Sequence, residues 1–200
     1  MRDPQNISEL VAIEPDYIGF IFHHQSKRYV GEVLDQAMLE SIPENIKKVG
    51  VFVNRPVNEV MARVKINRLD YVQLHGDEDT EYCKKLYYVG IPLIKVFRVS
   101  DKLKMGNIEK YKMYASYFLF DTKTDKFGGS GKKFKWDILK NYDNQVPLFL
   151  SGGICVDDAK TIRKMKDLNI HAVDINSNFE VSPGVKDIKQ VKQFKKKLLK

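Results

Sequence analysis

The chain has 200 residues, 43% hydrophobic and 30% charged, and its 34 Lys and Arg outweigh 26 Asp and Glu to leave a formal net charge of +8. That size and apolar content suit one domain, residues 1–200, around one core. No apolar run approaches the roughly eighteen residues of a membrane span, and no basic segment followed by an apolar one opens the chain. Neither membrane anchoring nor export is therefore expected, and the location is read as cytoplasmic. Cys83 and Cys155 stand far apart without CxxC spacing, so neither a disulfide framework nor a structural metal site is expected.

Asp3-Pro4 opens a helix (5–13) with a capping side chain and a residue suited to the first turn. Too few residues precede it for a strand. Seven short runs rich in β-branched and aromatic residues then read as buried strands: YIGFIF (17–22), KVGVFV (48–53), YVQLH (71–75), LIKVFRV (93–99), YFLFD (117–121), PLFLSG (147–152) and HAVDI (171–175). Helical periodicity falls between them at 31–41, 57–66, 79–89, 101–113, 134–141 and 156–168, and a last helix covers 187–199. Much of the basic excess lies in that last segment, KQVKQFKKKLLK, where Val191, Phe194, Leu198 and Leu199 recur at helical spacing. It reads as a helix with one buried face and one solvated face, and no nucleic-acid partner is expected.

Strict alternation of strand and helix predicts parallel strands joined by right-handed crossovers, and continuous apolar runs fit strands covered on both faces. Seven strands against eight helices would balance in a (β/α)8 TIM barrel if one more strand stood before the helix at Asp3. The expected fold class is therefore α/β, a (β/α)8 barrel with strand 1 missing. An open doubly wound sheet is the alternative, but no GxGxxG follows the first strand, and polar residues recur at the carboxyl ends of nearly all strands.

Those ends carry His23, His24, Lys27 and Arg28, then Asn54, His75, Arg98, Asp121 with Lys123, the SGGI turn, and Asp174. Parallel strands would bring them to one rim. Each has a plain structural reading as a loop-bonded or surface side chain. Asp121 is harder to explain that way, because it ends a strongly apolar run. Desolvation favours the protonated form of a carboxyl, as a general acid requires. Gly152 and Gly153, between a strand and the following helix, let the backbone approach an oxyanion. NSNFEVSPG (176–184), with Ser177 and Asn178, supplies a second such turn. Two such turns after the last two strands match the usual phosphate position of a barrel. The basic, glycine-rich loop KFGGSGKKF (126–134) reads as a mobile cover over the site or as a solvated linker.

SKRYV (26–30), VGVFVN (49–54), VQLHGDE (72–78), DTKTDKFGGSGKKFKW (121–136), LSGGI (150–154) and VDINSNFEVSPGVKD (173–187) resemble, in order, the phosphoribosylanthranilate isomerase family. The resemblance implies a single-domain barrel without metal or organic cofactor. It also implies an Amadori rearrangement of N-(5-phosphoribosyl)anthranilate to the carboxyphenylamino-deoxyribulose phosphate, a step of tryptophan biosynthesis. Asp121 would protonate the ring oxygen as general acid, and Arg28 would hold the anthranilate carboxylate. His75 and Asp174 would line the substrate pocket, and Gly152, Gly153, Ser177 and Asn178 would hold the phosphate. Asn176 to Glu180 replace the family's Ser-Ser-Gly-Val-Glu. Met1 matches the methionine just after the family's Cys-Gly, so the first strand and its cysteine base lie outside this sequence, and neither Cys83 nor Cys155 stands where that base would. As it stands, the chain is expected to turn substrate over poorly or not at all, and to be a monomer or homodimer with unpaired sheet edges. Two other readings remain: a non-catalytic phosphate-binding barrel, and another phosphosugar barrel enzyme such as a relative of indole-glycerol-phosphate synthase. The latter shares the phosphate turns but leaves VQLHGDE unexplained.

Overall fold

The computed structural model describes residues 1–123 and 133–200. Helix α1 (Pro4–Val11) starts as its first residues require: the Asp3 carboxylate accepts from Asn6 N at 2.7 Å, and Pro4 sits at the first helical position. Seven strands follow: β1 (Tyr17–Ile21), β2 (Lys47–Phe52), β3 (Tyr71–Leu74), β4 (Leu93–Val99), β5 (Tyr117–Thr122), β6 (Leu148–Leu150) and β7 (Ile170–Val173). Each pairs in parallel with its neighbours in chain order, β1-β2-β3-β4-β5-β6-β7. Between them lie α2 (Gln36–Glu40), α3 (Val57–Ile66), α4 (Thr80–Tyr88), α5 (Met105–Glu109) and α6 (Ala159–Lys164), and α7 (Ile188–Leu198) ends the fold.

The two faces of this sheet have different partners. Ile18, Phe20, Phe52, Val72, Leu74, Phe118, Phe120, Leu148 and Leu150 point outward and join the helices in the larger core. The alternate residues Val49, Ile94, Val96, Leu119 and Phe149 point inward and form a second, smaller core, with Tyr17, Tyr71 and Tyr117 packed against it. An inner core exists only because the sheet curls. The curl brings its two ends together, so that Tyr17 Oη of β1 lies 2.7 Å from His171 Nε2 of β7, and His171 stacks on Tyr117 with ring centres 4.3 Å apart.

Several segments expected to be helical are shorter or tighter. The 31–41 segment is helical only in α2, which Asp35 caps; Leu34 N donates instead to the buried Asn67 side chain at 2.7 Å. The 134–141 segment is a 3-10 helix, Trp136–Asn141, and 156–168 divides into a 3-10 turn (Val156–Asp158) and α6, which ends where Met165 takes ψ 56°. An antiparallel hairpin not expected from the pattern, β8 (Glu180–Ser182) with β9 (Val185–Lys186), turns at Gly184, whose φ is +88°. The buried Asn6 fastens α1 to this hairpin, accepting from Lys186 N at 2.7 Å and donating to its carbonyl at 2.9 Å.

Among the described residues β1 and β7 do not pair with each other; beside β1 only Tyr29 bridges Ile21, with Val30 N donating to Ile21 O at 3.1 Å, so the edge from Tyr17 to Phe20 has no strand partner. Phe22 N donates to Val51 O, so by strand alternation the amides of Ile18 and Phe20 face β2, while that of Gly19 faces the gap. On the gap side, Met1 N donates to Gly19 O at 2.9 Å. Hydrogen exchange on the folded chain is expected to be at least about tenfold faster at Gly19 than at Ile18 and Phe20. Equal protection at all three would mean that another chain segment covers the edge.

Candidate active site

The inward residues at the carboxyl ends of the strands are polar where the deeper ones are apolar. Gln73 from β3 and His75 just after it, Asp121 from β5, Ser151 after β6 and Asp174 after β7 occupy alternate positions and line one cavity of about 630 Å³. The cavity opens at the rim and continues between β1 and β7, where Gly19, Ala172, Val191 and Phe194 line it.

His75 and Asp121 are both buried, at 8% and 9% exposure. The Gln73 amide lies 3.2 Å from His75 Nδ1. His75 Nε2 stands 3.2 Å from Asp121 Oδ2 but off the hydrogen-bond line, so this nitrogen is buried with no bonded partner among the described residues. A polar atom left in that state is ready for a ligand. Asp121 Oδ1 accepts from Thr122 N at 2.8 Å, which fixes the carboxyl. Asp174 accepts from Ser151 Oγ at 3.1 Å. Burial, and then the neighbouring Asp121 carboxylate, raise the Asp174 carboxyl above its usual range.

The rim loop after β3 is held from beneath. Glu78, 5% exposed, accepts from Asn54 N at 2.8 Å, Gly76 N at 3.0 Å and Lys95 Nζ at 2.9 Å. Gly76 has no room for a side chain, since a Cβ there would lie 2.3 Å from Asn54 Oδ1. This explains Gly76 and Glu78 in VQLHGDE: they set the backbone from which His75 projects.

Gly152 and Gly153 take φ of +93° and +61°, a region open to glycine at little cost. A Cβ on Gly152 would also lie 2.5 Å from Thr122 Oγ1 and 3.0 Å from Thr122 N. No described residue accepts from the N–H of either glycine, so both donors are free for an oxyanion. Ser177, on the 3-10 turn Ser177–Phe179, lines the same cavity. Asn178 lines it too, but its side-chain amide donates to Gly153 O at 2.9 Å and Ile154 O at 3.2 Å. Its side chain therefore ties the two turns together.

Arg28 also lines the cavity, with its guanidinium bonded to Glu180. His23 lines it as well, and burial, followed by the charges of His24 and His75, favours its neutral imidazole. Arg98 binds Asp77 at 2.7 Å on the exposed rim. Neither cysteine lines the cavity: burial pushes the Cys83 thiol up to about 12, and Cys155 Sγ lies 3.6 Å from Lys133 Nζ. Of the loop expected to cover the site, residues 126–132 lie outside the described residues. Gln73, Glu180 and Lys186 are site residues that the strand-end reading passes over. Gln73 carried a usable signal, standing two residues before His75 on the same face.

A curled parallel sheet with carboxyl, imidazole and guanidinium groups at the carboxyl ends of its strands, beside a glycine turn and the turn that bears Ser177, defines a phosphosugar-type barrel site. The sequence model of N-(5'phosphoribosyl)anthranilate (PRA) isomerase matches residues 1–197. The N-(5'-phosphoribosyl)anthranilate isomerase of Parabacteroides distasonis is 42% identical over 200 residues, which cover 100% of this chain and 90% of that protein. The crystal structure of phosphoribosyl anthranilate isomerase from Thermotoga maritima has a TM-score of 0.85 at 31% identity, covering 100% of this chain and 95% of that one. A phosphoribosyl anthranilate isomerase in complex with reduced 1-(o-carboxyphenylamino)-1-deoxyribulose 5-phosphate has a TM-score of 0.79 at 28% identity, with the same coverage. The chain belongs to the phosphoribosylanthranilate isomerase family.

Because the folded carboxyl of Asp174 holds its proton more tightly than in the unfolded chain, native stability falls as pH rises through the interval between the two values. Asp174→Asn removes that cost. At neutral pH the variant is expected to melt about 2–4 °C higher than the parent. The gain should vanish below the ordinary Asp range, at about pH 3. A gain that persists unchanged at low pH would show that the carboxyl charge is not its source.

Proposed function

We propose that this protein isomerises N-(5-phosphoribosyl)anthranilate to 1-(2-carboxyphenylamino)-1-deoxyribulose 5-phosphate, in tryptophan biosynthesis. The observation that carries the reading is the convergence in one cavity of a buried acid, a cation and a glycine turn with unpaired donors, spaced around the room a phosphosugar needs. Asp121 is the general acid that protonates the ribose ring oxygen as the ring opens, and His75, 3.2 Å away, steadies the carboxylate left behind. The N–H groups of Gly152, Gly153, Ser177 and Asn178 take the phosphate. Arg28 takes the anthranilate carboxylate, and Asp174, with its proton affinity raised, lines the sugar pocket.

The second proton transfer, from C2′, needs a base. We propose that it arrives on an eighth parallel strand seated between β1 and β7, which completes a (β/α)8 barrel. Three observations support this: the unpaired strand edges, the continuation of the cavity into the gap, and the hydrogen bond from Met1 N to Gly19 O. Relatives have length to spare, since this chain covers 90–95% of those compared.

The test is isomerisation of freshly made substrate by the chain as it stands and by the chain extended with a strand ending in Lys-x-Cys-Gly. The extended protein is expected to turn over. Asp121→Asn within it should lower kcat at least about a hundredfold. An extended protein that binds product yet stays inert would refute the assignment.

A further inference from the structure

The reading of Arg28 as the carboxylate-binding group leaves open what holds a long, flexible side chain in place on an irregular loop. We infer that Glu180, on the β8–β9 hairpin, is the positioning residue that aims Arg28, and that this pair sets the preference for a ligand bearing an aromatic carboxylate. The inference rests on the proposed role of Arg28.

The geometry is that of a fork gripped along one side. Arg28 Nε donates to both Glu180 oxygens, at 3.0 and 2.9 Å, and Nη2 donates to Oε2 at 2.7 Å. Nη1 has no partner among the described residues, on a side chain that lines the cavity. With two nitrogens of a rigid, planar group fixed, the third is fixed too. Glu180 is held in its turn: its side chain is only 4% exposed, and Oε1 accepts from Gly184 N at 3.2 Å and Lys186 Nζ at 3.3 Å. Lys186 is anchored by Asn176, donating to its Oδ1 at 2.8 Å and its carbonyl at 3.2 Å. Although burial pushes the Glu180 carboxyl up, the Arg28 hydrogen bonds and the charges of Lys186 and Arg28 hold it below its usual range. Without that carboxylate, two buried cations would face each other across the hairpin and Arg28 would be driven out of register. The hairpin follows the turn that carries Ser177, so one short segment bears a phosphate contact and also the hold on the carboxylate end of the ligand.

The test uses two probes: the reduced 1-(o-carboxyphenylamino)-1-deoxyribulose 5-phosphate and its phenylamino counterpart, which lacks only the ring carboxylate. Glu180→Gln is expected to weaken binding of the carboxylated probe about tenfold and that of the other by less than about twofold. A general loss of structure would weaken both alike. Glu180→Asp keeps the charge, and so the fold, but shortens the reach, and is expected to show a smaller loss with the same selectivity. Equal losses for both probes, or none for either, would overturn the inference. Arg28→Met separates the two levels: if it leaves the preference for the carboxylated probe intact, the reading of Arg28 falls and this inference with it. If Arg28→Met abolishes the preference while Glu180→Gln and Glu180→Asp preserve it, only the role of Glu180 is refuted.

Discussion

The site depends on one geometric constraint, the two-residue period of parallel strands on a sheet that curls until side chains of its two end strands touch. The contact of Tyr17 with His171 joins the amino-terminal ends of β1 and β7, and the inner core of Val49, Ile94, Val96, Leu119 and Phe149 fills the space above it. Each step of two residues along a strand then climbs from that floor toward the rim. Leu119 leads to Asp121, Phe149 to Ser151, Ala172 to Asp174 and Gln73 to His75. The apolar layer excludes water from below, so the carboxyl and imidazole groups above it act in a partly desolvated space. A single-residue slip in any strand would exchange its polar end for an outward apolar side chain.

Rigidity at the rim comes from buried polar groups that hold its loops in place. Lys95 leaves β4 on its outer face and is 3% exposed, yet its ammonium is satisfied by Glu78 and by Gly76 O at 3.0 Å. Glu180 and Lys186 do the same work on the opposite side of the cavity. Buried ion pairs of this kind add little net stability, because desolvation offsets much of their attraction, but breaking one leaves an uncompensated charge. Their value lies in holding a loop in one arrangement, which suits side chains that must meet a ligand within fractions of an ångström.

Much of this was legible in the sequence because it is local. Apolar runs place all seven strands to within about two residues, and strand-end position alone brings His75, Asp121, Asp174 and the two glycines to one rim. What was not legible is set by distant partners. Arg28 reads as a free cation, yet it is bonded to a residue 152 positions away. Asn178 reads as a phosphate ligand, yet its side-chain amide is spent on Gly153 and Ile154, which leaves its backbone N–H for that role. The short helices α2 and α5 fall inside longer periodic stretches, because loop residues such as Leu34 find partners elsewhere that periodicity does not reveal.

The glycine turn after β6 and the turn bearing Ser177 are proposed to form one oxyanion site at the rim. Titration with inorganic phosphate, followed through backbone amide resonances, tests it most directly. Gly152, Gly153 and Ser177 are expected to shift together, and the response is expected to be lost in Gly152→Ala, whose Cβ would press on Thr122. Shifts confined to the lysine-rich face of α7, with the two turns silent, would contradict it.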